Sequence, residues 1–221
     1  RMTKNNLPVP AGIVCTAGFF TPWFDILKKT DNWQQLMKAP SKHMKKICDR
    51  FKNHCRTLSL SDDQEKSLWA ALDAIDSNNS LFAVRSSSPE EDLEGASFAG
   101  AYESILGVTK AAIKTAIRQV FASAFDVRVF LYKEEKGFTR TNPQIAIIIQ
   151  KQIPSEKSGV AFTINPINNS YDEVVINANY GLGESVVSGL VSPDRYKINK
   201  NTGEIIEKYA GKKEIIIHLN K

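Results

Sequence analysis

Phe82-Ala83-Val84-Arg85-Ser86-Ser87-Ser88-Pro89-Glu90-Glu91-Asp92-Leu93-Glu94-Gly95-Ala96-Ser97-Phe98-Ala99-Gly100 runs from an apolar strand signature into a loop of hydroxyls, acids and small residues. Leu81 to Val84 reads as a buried strand that delivers Arg85-Ser86-Ser87 at its end. An arginine there offers a planar charged fork suited to phosphate oxygens, and small residues such as Ser97 and Gly100 let backbone amides approach an anion. A plainer reading fits the same residues: a strand end, an acidic surface loop and a salt-bridged arginine.

On the N-terminal side the chain reads as helical after an extended opening. Pro8, Pro10 and Gly12 exclude helix from Leu7 to Val14, which reads as a strand leading to Thr21-Pro22, where proline suits a first helical turn. Met44, Ile47, Cys48, Phe51, Cys55 and Leu58 recur at helical spacing. Ser61-Asp62-Asp63-Gln64 is a capping box opening a second amphipathic helix through Leu68, Leu72 and Ile75. The cluster from Asp76 to Ser80 marks a boundary, so a helical part at 1–80 is expected to precede a second region at 81–221.

On the C-terminal side the texture is short strands. Gly100 to Val108, Ile145 to Gln150, Val160 to Thr163 and Glu173 to Asn177 fit strands, and Thr109 is placed to cap a helix carrying Ile113, Ile117, Val120 and Phe121. Arg195 to Asn199 and Glu204 to Lys208 flank Asn201-Thr202-Gly203, a hairpin signal. Strands and helices mix without βαβ alternation, which predicts an α+β fold rather than a doubly wound sheet.

Bulk properties narrow the function. A charged fraction of 24% and a hydrophobic fraction of 42% are those of an ordinary globular chain, with no run long enough for a membrane span and no leader pattern. Three scattered cysteines, Cys15, Cys48 and Cys55, make no disulfide framework and suit a reducing cytoplasm. His43, His54 and His218 have no metal-ligand spacing with these thiols, so no metal site is assigned. The net charge of +5 invites nucleic acid as a partner, but the densest basic run, Lys42 to Arg56, puts its one aromatic on the apolar stripe, as a solvated helix face does. Neither nucleic acid nor membrane is an expected partner.

The stretch from Phe82 to Gly100 closely resembles the motif of phosphoenolpyruvate synthases, pyruvate phosphate dikinases and related antibiotic phosphotransferases, in which Arg-Ser-Ser is followed by Glu-Asp-Leu and Ala-Ser-Phe-Ala-Gly. Ile147 to Ile153, Ser158 to Pro166 and Asn177 to Gly189 resemble further segments of that family, and the likeness is weakest between Asp31 and Ser80. It implies an ATP-grasp nucleotide-binding domain with ATP and magnesium as cofactors. By the family's pattern Arg85 is the catalytic phosphate ligand, and the loop through Ser97 and Gly100 covers the phosphates. Ser104 takes a hydroxyl position usually held by threonine. Gln150, Gln152 and Ile153 belong to the strand leading to the adenine, which needs one backbone donor, one acceptor and apolar walls. Glu184, after paired glycines, could bind a cation or a basic group, while a structural salt bridge explains it equally simply. Arg128 and Tyr132 match family positions read as structural.

The resemblance further implies a piece of a longer enzyme. The family carries a Gly-Lys-Gly-x-Asn-Leu segment ahead of this region, and a glutamate, a glutamine and an Asp-Ile-Glu-Trp-Ala segment beyond it. Its phosphorylated histidine sits on a swivelling domain in a Thr-x-x-x-Ser-His context that none of His43, His54 and His218 has. The expected partners are that domain and an acceptor-binding domain, with pyruvate as acceptor and the isolated piece inactive. A rifamycin-type antibiotic phosphotransferase and a non-catalytic nucleotide-binding module are the alternatives.

Overall fold

The computed structural model describes residues 2–76, 80–88, 103–135, 137 and 144–219. The chain divides into two compact units, Arg1–Gln152 and Ile153–Lys221.

In the first unit β1 (Gly12–Cys15), β2 (Phe82–Ser87), β3 (Ser104–Val108) and β4 (Ala146–Lys151) form an antiparallel sheet in the order β1-β4-β2-β3. Alternation along the strands sends Val84, Ile147 and Ile149 into the core and leaves Arg85, Ile148 and Val14 on the opposite side. The core side is covered by helices: α1 (Thr21–Lys28), α2 (Asp31–Lys38), α3 (Met44–Cys55), α4 (Asp62–Ile75), α5 (Ile113–Ser123) and α6 (Val127–Glu135).

Each helix buries the stripe its spacing dictates. Met44, Cys48, Phe51 and Cys55 of α3 are fully buried, as are Ile113, Ile117, Val120 and Phe121 of α5. Burial pushes the Cys15 thiol up to about 12 and the Cys55 thiol up as well, so both behave as small apolar groups. An aromatic cluster forms the centre. The Phe121 ring lies 4.9 Å from Trp23, 5.2 Å from Phe20, 5.3 Å from Phe24 and 5.7 Å from Phe125. The indole N–H of Trp23 is kept satisfied by donating to the Ser59 carbonyl at 2.8 Å.

The capping box forms as expected. The Gln64 backbone N–H donates to Ser61 Oγ, and the Gln64 side chain accepts from the Ser61 N–H at 2.8 Å. Two local expectations need correction. Arg85 lies inside β2 rather than beyond its end, because the ladder with β4 continues to Ser87. Thr109 makes no side-chain cap: a 3₁₀ turn at Lys110–Ala112 intervenes, and the Thr109 carbonyl accepts from Ala112 N–H instead. Of the strand expected from Gly100, the described part begins at Ser104, and a bulge in its pairing with β2 coincides with Gly107 at φ 67°.

The second unit is a sequential antiparallel sheet of β5 (Lys157–Phe162), β6 (Glu173–Tyr180), β7 (Asp194–Asn199) and β8 (Ile205–Tyr209). A short helix, α7 (Glu184–Val187), follows β6. The expected hairpin joins β7 to β8, with Asn199 Oδ1 accepting from the N–H groups of Asn201 and Thr202, and Gly203 at φ 74°. The buried apolar residues of this unit are Val175 and Leu182, alongside the buried polar residues Asn165, Asn179 and Ser185. The architecture is α+β. Among the described residues no helix is long and apolar enough to cross a membrane.

Candidate functional site

Register places Arg85 opposite Ser104 on one side and Ile148 on the other, and Ile148 opposite Val14. Directly paired residues project to the same face, so Val14, Ile148, Arg85 and Ser104 form one row across all four strands, on the face away from the core. Val14 is 57% exposed, Ile148 is partly exposed, and Arg85 and Ser104 are exposed. The row therefore grades from apolar through cationic to hydroxyl. That gradient complements a ligand with a flat apolar end and an anionic end.

The Arg85 side chain makes no ion pair or hydrogen bond among the described residues, so the salt-bridged reading of this arginine finds no partner there. An unneutralised guanidinium held on a central strand keeps its full fork for an incoming oxyanion. Its neighbours on the core side make the strand rigid: Phe82 and Val84 are fully buried.

Gln150 shares this open face next to the row, being paired with Ala83 and Gly12, and its amide Nε2 donates to the Pro10 carbonyl at 3.0 Å. That contact ties the segment before β1 to the end of β4. The Gln152 N–H donates to the Leu81 carbonyl at 2.8 Å. The Ile153 carbonyl accepts from Ser155 N–H at 2.9 Å and Ser155 Oγ at 3.3 Å, and the Ile153 side chain is 52% exposed. Gln152 and Ile153 straddle the division between the two compact units. Ser97 and Gly100 lie outside the described residues.

In the second unit, two sequence segments that are far apart meet. Ser158 Oγ donates to the Gly181 carbonyl at 2.7 Å, joining the Ser158-Gly159-Val160 segment to the Gly181-Leu182-Gly183 turn. Gly181 has φ 76°, and a Cβ there would collide with the Ile217 carbonyl oxygen, so only glycine fits. Gly183 has an ordinary helical φ of −65° and needs no such freedom. Glu184 is the first residue of α7, exposed, with no ion pair among the described residues, so the structural salt bridge considered for it is absent there. Its backbone carbonyl accepts from Ser188 N–H at 2.9 Å.

Among the described residues no three His, Cys, Asp or Glu side chains converge as a metal shell. Val14 is the site residue that the sequence does not announce. It is the last residue of the strand expected from Leu7 to Val14, and only the register with Ile148 shows it on the open face.

The family model of the pyruvate phosphate dikinase AMP/ATP-binding domain matches residues 1–221. A probable phosphoenolpyruvate synthase of Methanocaldococcus jannaschii is 36% identical over 225 residues, covering 97% of this chain and 19% of the relative. The phosphoenolpyruvate synthase of Pyrococcus furiosus is 44% identical over 139 residues, covering 62% of this chain and 17% of the relative. The rifampicin phosphotransferase of Bacillus cereus is 41% identical over 141 residues, covering 63% of this chain and 16% of the relative. The chain thus spans about a fifth of the length of these relatives. With its whole length matched by one family model, the chain belongs to the pyruvate phosphate dikinase AMP/ATP-binding domain family.

Proposed function

We propose that this chain is the ATP-binding part of a phosphotransferase of the phosphoenolpyruvate synthase and pyruvate phosphate dikinase type, built as an ATP-grasp domain. Residues 81–221 carry the nucleotide-binding region and the helical 1–80 part supports it. The observation that carries the reading is the row of Val14, Ile148, Arg85 and Ser104 across the open sheet face. Arg85 binds the phosphates and offsets charge developing on the transferred group, with the Ser104 hydroxyl beside it. The loop through Ser97 and Gly100 covers the phosphates, and the strand through Gln150, Gln152 and Ile153 leads to the base. Glu184 serves as an open carboxylate for a cationic group. Phosphoryl transfer asks the protein chiefly for position and charge, which a fixed guanidinium supplies.

In the intact protein the phosphoryl group passes to a carrier histidine on another domain and then to pyruvate. A second reading keeps the same ATP site and changes the acceptor to a rifamycin, favoured by the 41% identity to a rifampicin phosphotransferase.

The test is calorimetric titration of ATP into the full-length protein that carries this chain, comparing wild type with Arg85→Ala and Arg85→Lys. Loss of one charge-assisted fork weakens affinity by about 10–100-fold. The Arg85 side chain has no partner to lose within the described residues, so the unfolding free energy measured in urea stays within ~0.5 kcal/mol of wild type. Unchanged ATP affinity in Arg85→Ala removes the role assigned to this residue.

A further inference from the structure

At the C-terminal end of α3 a cavity of about 410 Å³ opens between α3, the start of β3, the end of α5 and the start of α6. Its charges come from Lys52 and Arg56 on α3, Glu103 before β3, and Asp126 and Arg128 at α6. Asp126 is already engaged. Lys52 Nζ donates to it at 2.8 Å, Arg128 Nε at 3.0 Å and the Arg128 backbone N–H at 3.1 Å.

The two guanidinium groups are not used up. Arg56 donates from Nη1 to the neutral Asn53 Oδ1 at 2.9 Å, and its other nitrogens have no partner among the described residues. Arg128 spends Nε on Asp126 and keeps both terminal nitrogens open, with its side chain 68% exposed. The surroundings reinforce this. The lining carries three cations, Lys52, Arg56 and Arg128, against the two carboxylates of Glu103 and Asp126, so its balance favours an anion. The hydroxyl residues Ser104 and Ser123 also line the cavity. Ser123 already donates its hydroxyl to the Val120 carbonyl at 2.7 Å, so the two open forks and the Ser104 hydroxyl are what match a tetrahedral oxyanion, since guanidinium pairs with phosphate through parallel charge-assisted bonds.

We infer that this cavity is a binding site for a phosphoryl oxyanion, held by Arg56 and Arg128. The group is either free inorganic phosphate or a phosphoryl group of a larger ligand. Ser104 belongs both to the cavity lining and to the row with Arg85, so a nucleotide bound along that row could reach it. The inference stands without the nucleotide reading, because its residues, apart from Ser104, are different ones.

The experiment has two arms. Inorganic phosphate, followed by ³¹P line width, and ATP, followed by calorimetry, are each titrated into the full-length protein that carries this chain. Wild type is compared with Arg56→Ala, Arg128→Lys, Arg85→Ala and Lys45→Ala. Lys45 is an exposed α3 lysine outside the cavity lining. Arg56→Ala removes only a surface bond to Asn53 and should fold normally; Arg128→Lys keeps charge next to Asp126 while removing the fork. A site for free phosphate predicts phosphate affinity about tenfold weaker in Arg56→Ala and Arg128→Lys, and unchanged in Arg85→Ala and Lys45→Ala. A site for a nucleotide phosphoryl group predicts no phosphate binding but about tenfold weaker ATP binding in Arg56→Ala. Arg56→Ala behaving as wild type in both arms overturns the inference. So does Lys45→Ala weakening binding as much as Arg56→Ala, which would mean a diffuse cationic field. Loss in Arg56→Ala with no loss in Arg85→Ala in the ATP arm keeps the cavity and removes the nucleotide reading.

Discussion

Replacing Phe121 by alanine strikes the centre of the first unit. The ring is fully buried on α5, the helix that packs against β2, and four aromatic rings stand 4.9 to 5.7 Å from it. Those neighbours are stiff and belong to two different segments, residues 20–24 and the turn after α5, so they cannot all collapse into the vacated space. The expected cost is therefore toward the upper part of ~3–5 kcal/mol for a buried Phe→Ala change. With a urea slope of about 2 kcal/mol/M, the unfolding midpoint falls by roughly 2 M. Tryptophan fluorescence is the right probe, because Trp23, Trp33 and Trp69 all lie in the first unit and none in the second. Phe121→Leu, which keeps most of the volume, should cost only ~1.5 kcal/mol. A midpoint shift below about 0.5 M for Phe121→Ala would falsify the picture of a rigid aromatic centre supporting β2.

Two further outcomes follow from single contacts. Burial pushes the Asp126 carboxyl pKa up, but hydrogen bonds from Lys52 and Arg128 outweigh it and hold the value at about 2 against an ordinary 3.8. A lowered folded-state pKa gives stability that is present above about 3.8 and lost as pH falls toward 2. Wild type should therefore exceed Asp126→Asn in fluorescence-monitored stability at pH 6, with the gap narrowing progressively below pH 3.8 toward pH 2; a gap independent of pH refutes the paired carboxylate. In the second unit Gly181→Ala should destabilise by more than ~1 kcal/mol, since it combines positive φ with a clash at the Ile217 carbonyl, while Gly183→Ala is tolerated. Far-UV circular dichroism melts of the two variants check this, and equal melting temperatures would remove the argument.

Much of the local structure was legible because it depends on residues close in sequence. The stripe from Met44 to Cys55 and the Ser61–Gln64 capping box concern neighbours one turn apart, and both form as their spacing predicts. The hairpin around Gly203 is equally local. Where the reading slipped, the deciding partner was distant. Arg85 was expected past a strand end, but β4 extends the ladder by pairing Ser86 with Ile147 and Ser87 with Ala146, some sixty residues away. Thr109 looked like a cap, yet the chain enters α5 through a 3₁₀ turn that leaves its hydroxyl unused. At the candidate site, Val14 carried no signal of its own.

Periodicity, capping and the Arg-Ser-Ser motif by themselves determined the α+β class, the helix stripes and the family resemblance, since each rests on residue types at short, regular intervals. Only the tertiary structure decided that Val14, Ile148, Arg85 and Ser104 share one row, and that Arg56 and Arg128 share one cavity. Strand register and helix packing are set by burial of the whole core, which no short stretch of sequence contains.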